Sequence, residues 1–184
     1  KAKAPSVPLW ALMLATVWLD IVFIPLLVLG IETIQPAPGT AGGYGAGIIH
    51  ADYTHSLVGA LVLSALLGWV AAWRWGRRAG WILGAVVFSH WVLDLVVHRA
   101  DMPILPGDLG GLPRFGFGLW QYTALSALAE LALLLAGAFF YWRAATMVTA
   151  GNAPGLTSRA NLAAAVLLVS GLIVLALDVT GIAG

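Results

Sequence analysis

Five long apolar runs alternate along the chain with short polar or glycine- and proline-rich breaks. They span about Pro8 to Ile31, Leu57 to Trp73, Trp81 to Val97, Leu119 to Trp142 and Leu162 to Ile182. Each is about 17 to 24 residues, close to the ~20 that a helix needs to cross the hydrocarbon core of a bilayer. None shows the in-and-out alternation of a barrel strand, and in lipid only a helix satisfies the backbone of a single open segment. The pattern predicts an all-α fold: a polytopic transmembrane helix bundle with five spanning helices, one transmembrane domain over residues 1–184. The first run is too long for a signal peptide and lacks a small-residue exit, so it reads as mature structure. The breaks read as connections. Residues 35–49 are rich in Pro and Gly, 75–80 form a short arginine-bearing turn, 101–118 hold three prolines, and 150–158 form a last break.

Composition strengthens this picture. Hydrophobic types make up 61% of the 184 residues and charged types 9%, against roughly 25% charged in a soluble domain. Such a chain cannot clothe a water-facing surface, which excludes an ordinary soluble enzyme. A net charge of +1 leaves no basic excess for a nucleic-acid partner. The absence of cysteine excludes disulfides and thiolate-bound zinc. The charges are also uneven along the chain. With the N-terminus cytoplasmic, Lys1, Lys3, Arg74, Arg77, Arg78, Arg143 and Arg159 fall inside, seven of nine basic residues. Arg99 and Arg114 fall outside, beside Glu32, Asp52, Asp101 and Asp108.

Candidate chemistry lies in the polar residues that interrupt the greasy runs. An ionisable group at membrane depth costs several kcal/mol and usually faces a partner or a cavity. Asp20, Asp94 and Glu130 occupy such positions, and His50, His55, His90 and His98 gather in or beside the outer halves of the second and third helices. In FSHWVLDLVVHRADMP, His90, Asp94 and His98 are spaced i, i+4, i+8 and Asp101 follows at i+11. On one continuous helix these fall at about 0°, 40°, 80° and 20°, a single stripe with Ser89 just beside it. HADYTHSLVG approaches from the same side with His50, Asp52 and His55, and Asp52 suits the N-cap of the second helix. Nitrogen and oxygen ligands without thiolate suit a divalent metal, zinc or manganese, as one or two ions. The expected division is Asp20, His55, His90 and Asp94 as metal ligands, with His98, Asp101 or His50 completing a second site or moving protons. Glu130 serves as a general base or supports the ligands. No P-loop, dinucleotide fingerprint or serine nucleophile elbow is present.

These phrases resemble a family of small bacterial inner-membrane proteins named as membrane-bound, metal-dependent hydrolases. The match lies in WLD at Asp20, HS at His55 and Ser56, SHxxxD at Ser89, His90 and Asp94, and HRxDxP at His98, Arg99, Asp101 and Pro103. A GLGLW-like phrase at Phe117 to Trp120 and the following Glu130 extend it, so it covers about residues 5–142. Lys3, Ala4 and Pro5 resemble the end of a stretch that follows a Gly-His phrase in the family, which places that histidine before residue 1. The resemblance implies a multi-pass inner-membrane hydrolase acting on a lipid-linked or membrane-proximal ester, a phosphoester favoured, at the outer face. Two other readings compete. The chain suits a non-catalytic accessory subunit of a larger membrane complex, touching other subunits and a cofactor such as haem or a pigment. A proton-coupled transporter would need broken helices and a polar path on both sides of the midplane.

Overall fold

The computed structural model describes residues 7–38, 43–149 and 156–181. Lys1, Lys3 and the Lys3–Pro5 phrase lie outside them, as does most of the 150–158 break. The described fold is all-α with one small hairpin. Its helices are α1 (Leu9–Thr16), α2 (Trp18–Val28), α3 (Leu57–Trp75), α4 (Arg77–Val97), α5 (Thr123–Thr149) and α6 (Leu156–Thr180). Four are long and apolar enough to cross a membrane, five spans if the bent pair α1–α2 counts as one. That pair is where the expected first span differs: it breaks at Val17 with a bend of 50°. Pro25 is not the cause, because α2 runs through it.

The chain divides into two compact units. The first comprises residues 7–38 and 47–119 of those described, the second 43–46, 120–149 and 156–181. In the first unit, α3 and α4 form a tight antiparallel pair turned at Gly76, whose φ of 92° needs a residue without Cβ. Their closeness depends on small residues. A Cβ at Gly80 would lie 2.5 Å from the Gly68 carbonyl oxygen and 2.6 Å from the Ala72 Cβ. Small residues at a helix interface let backbones approach, which is how helices associate where no water drives them together. α1 packs on α4 and α2 touches it. The core between them is Ala11, Ala15, Leu19, Ala60, Ala71, Leu83, Val87, Trp91 and Met102. Large side chains such as Trp69, Trp73 and Trp81 instead face outward, the arrangement expected where lipid replaces water as the solvent.

Between α2 and α3 lies a feature the apolar pattern does not signal. β1 (Thr33–Pro36) and β2 (Gly47–His50) pair antiparallel, with Thr33 opposite His50 and Pro36 opposite Gly47. The segment after α4 straps the end of the helix pair. Met102 and Phe115 form a bridge, Phe117 N donates to Leu95 O at 2.8 Å, and Gly118 N donates to His98 O at 2.6 Å. Pro103 and Ile104 carbonyls accept from Leu57 and Val58 N, each at 3.1 Å. These satisfy two of the amide donors that any helix start leaves orphaned. In the second unit α5 packs against α6, and Trp142 Nε1 donates to Asn161 Oδ1 at 2.9 Å.

Candidate metal centre

Three separate stretches of the first unit bring ligand side chains to one point. α2 supplies Asp20 from its first turn, where the helix dipole favours a carboxylate. The segment entering α3 supplies His55, immediately before the N-cap Ser56, whose Oγ accepts from Gly59 N. α4 supplies His90 and Asp94, four residues apart on one face. Among the described residues, Asp20, His55 and His90 are the one group of three or more such side chains whose ligand atoms lie within 4.8 Å of one another.

Asp94 adjoins them. His55 Nε2 lies 3.6 Å from Asp20 Oδ1 and 3.5 Å from Asp94 Oδ2. His90 Nε2 lies 3.6 Å from Asp20 Oδ1 and 3.2 Å from Asp94 Oδ2. Nitrogen and oxygen ligands around a tetrahedral zinc, at about 2.0–2.2 Å from the ion, stand roughly 3.3–3.6 Å apart, so these spacings suit one ion between them.

The hydrogen bonds behind the ligands point the same way. His90 Nδ1 lies 2.7 Å from the Thr16 carbonyl oxygen. A carbonyl only accepts, so Nδ1 carries a proton, and in the neutral ring Nε2 is the nitrogen left bare toward the carboxylates. That carbonyl is available because α1 ends there: in an unbroken helix it would accept from the amide of residue 20. His55 Nδ1 lies 2.8 Å from Thr54 Oγ1, and Trp91 Nε1 donates to the His55 carbonyl at 2.8 Å. Asp94 Oδ2 is buried without a hydrogen-bond partner. Two imidazole Nε2 atoms and two carboxylates thus converge on one point, a donor set that a divalent cation satisfies. His55 is buried, whereas the Asp20 side chain is 47% accessible, so Asp20 is the open side of the cluster.

Other expected site residues fall elsewhere. α4 ends at Val97 and His98 has extended backbone, so His98 and Asp101 leave the helical stripe. They pair with each other, His98 Nδ1 donating to Asp101 Oδ1 at 3.1 Å, both buried. His50 ends β2 opposite Thr33. Ser89 Oγ donates to the Val86 carbonyl within its own helix. Glu130 belongs to the second unit, where its Oε2 accepts from Tyr44 Oη at 2.6 Å. Partial burial and that carboxylate hold the Tyr44 phenol above its ordinary range. Glu32 and Thr54 stand behind His55, and the residue pattern does not single them out for that place. The only sequence signal for Thr54 is its adjacency to His55.

Asp52 is not the N-cap of α3; Ser56 takes that place because it directly precedes the helix. Asp52 instead receives Arg114, whose Nη1 donates to Asp52 Oδ1 at 2.9 Å and to the Asp101 carbonyl at 2.8 Å. Its Nη2 donates to Asp108 Oδ2 at 3.0 Å. Burial alone would lower the Arg114 guanidinium, but Asp52 and Asp108 outweigh it and raise it further. Arg114→Ala is expected to lower stability by about 1–3 kcal/mol, with Asp108 counting little because it is partly solvated. Thermal unfolding in detergent measures this, and an unchanged midpoint would show that the strap holds without the arginine. Comparisons of the chain with protein-family models, curated proteins and solved structures find no match.

Proposed function

We propose that the protein is a multi-pass inner-membrane hydrolase that holds a divalent metal, zinc or manganese, at Asp20, His55, His90 and Asp94. Its substrate is a lipid-linked or membrane-proximal ester, with a phosphoester favoured. The observation that carries this reading is the meeting of two imidazole Nε2 atoms with two carboxylates around a buried, unpartnered Asp94 oxygen. When bound, the ion would supply a Lewis acid that polarises a phosphoryl or carbonyl oxygen and makes water acidic.

The chain's own residues supply the rest. His90 and His55 are oriented through their Nδ1 atoms, and Asp20, the exposed ligand, lies where a substrate group enters. Asp101 orients His98 through Nδ1, and this pair carries a proton to or from the reacting group. The centre faces the non-cytoplasmic side, because Arg74, Arg77 and Arg78 surround the opposite, turn end of the α3–α4 pair.

Detergent-purified protein, stripped and reloaded with zinc or manganese, is to be assayed against aryl and lipid-linked phosphoesters and carboxyl esters. Metal-dependent turnover is expected, with His98→Ala losing at least about 100-fold in kcat at unchanged metal content. Failure to bind either metal would end the proposal. Binding without turnover of any ester would retain the centre and remove the hydrolase.

A further inference from the structure

Glu32 is wholly buried, and its environment consists of donors. Its Oε1 accepts from Tyr53 N at 2.8 Å, Thr54 N at 2.9 Å and Thr54 Oγ1 at 3.1 Å, while its Oε2 lies 3.0 Å from the same hydroxyl. The residue reaches this place because the chain reverses after α2. Gly30, at φ 69°, turns the backbone, and the amides of Ile31 and Glu32 both return to the Leu26 carbonyl at 2.9 and 3.2 Å. An acid at a helix end, commonly left in solvent, is thereby folded inward onto the segment that carries His55.

We propose that Glu32, acting through the Thr54 hydroxyl, is a positioning residue that fixes the tautomer of His55 and so keeps its Nε2 lone pair facing Asp20 and Asp94. This rests on the reading of His55 as a metal ligand. Hydrogen-bond direction decides the matter. A threonine hydroxyl has one proton to donate and lone pairs to accept with, and a carboxylate only accepts. With Glu32 as acceptor at both oxygens, the Thr54 proton points to Glu32. The hydroxyl lone pairs are then left for His55 Nδ1, 2.8 Å away. Nδ1 must therefore be the protonated nitrogen, which leaves Nε2 bare in the neutral ring. The chain Glu32, Thr54, His55 does for one imidazole what the Thr16 carbonyl does for His90.

Glu32→Gln, a change of one atom, should reverse these directions. The amide oxygen can still accept from the Tyr53 and Thr54 amides, but the amide nitrogen replaces Oε2 and donates to Thr54 Oγ1. The hydroxyl then turns to donate to His55 Nδ1, and the ring proton moves to Nε2, into the space between the carboxylates. The test uses full-length, metal-free protein labelled with ¹⁵N-histidine in detergent, with His55 signals assigned by their loss in His55→Ala. In the wild type the His55 Nδ1 is expected to carry the proton. In Glu32→Gln the protonated nitrogen is expected to be Nε2, and zinc affinity, read by competition with a chelating dye, is expected to fall about 10–100-fold.

Thr54→Val, which removes the bridge, is expected to lose zinc affinity similarly, and Thr54→Ser to restore it. This pair tests the same relay if Glu32→Gln does not fold. An unchanged tautomer and affinity in Glu32→Gln, or equal affinities in Thr54→Val and Thr54→Ser, would overturn the proposal while leaving the metal centre standing. A tautomer that inverts as expected in a protein that never binds zinc would uphold the relay and remove the metal.

Discussion

Asp94→Ala is expected to weaken metal binding by about two to three orders of magnitude. Asp94 Oδ2 is buried, has no hydrogen-bond partner, and faces the Nε2 atoms of His55 and His90 at 3.5 and 3.2 Å. A structural divalent ion contributes about 10–16 kcal/mol of binding free energy, so one ligand in four is worth roughly 2.5–4 kcal/mol, or two to three orders of magnitude in affinity. His90→Ala should lose as much. Elemental analysis after dialysis against zinc measures this, and a mutant that keeps its zinc would remove Asp94 from the centre.

Gly59→Ala is expected to do comparable damage without touching a ligand. Gly59 lies in the first turn of α3, where its amide donates to Ser56 Oγ at 3.0 Å and Ser56 Oγ in turn donates to the Tyr53 carbonyl at 3.0 Å. A Cβ at this position would overlap the Tyr53 carbonyl and lie 2.7 Å from Ser56 Oγ. The neighbours cannot retreat, because Tyr53 and Thr54 are tied by their amides to Glu32 and His55 is tied by its carbonyl to Trp91. Overpacking a site without slack costs about 1–3 kcal/mol or more, and here the strain falls on the segment that aims His55. The expected result is a lower unfolding midpoint together with zinc affinity at least about tenfold weaker. Gly137→Ala is the control: an added Cβ in α5 meets nothing within 4 Å. It should be neutral or stabilising by up to about 1 kcal/mol. Equal behaviour of the two variants would show that the turn before α3 has slack after all.

The membrane-spanning character is legible in the sequence because it depends on length and hydropathy, both local properties. The bend at Val17 is not, since no proline or glycine marks it and the imidazole that uses the released carbonyl comes from α4. His90 and Asp94 are legible because one helix carries both at i, i+4. His98 and Asp101 join the same stripe only if that helix is extended past Val97. The structure ends it there, with the backbone strapped to the 115–118 segment. Asp20 and His55 stand out as polar groups at or beside apolar runs, and they do converge with His90. Glu32 reads in the sequence as a solvated interfacial acid, because the reversal at Gly30 that buries it depends on three-dimensional contacts. The hairpin is hidden for a similar reason: its two short strands flank a glycine-rich stretch that reads as loop.

The break between α1 and α2 places two tasks on a short stretch of chain. The Thr16 carbonyl steadies His90, and Asp20, one helical turn later, faces the imidazoles. A small swing of this stretch away from α4 would therefore withdraw a ligand and unlock a ring in a single movement. Metal affinity should then answer to changes in the α1–α2 bend as well as to changes in the side chains that face the ion.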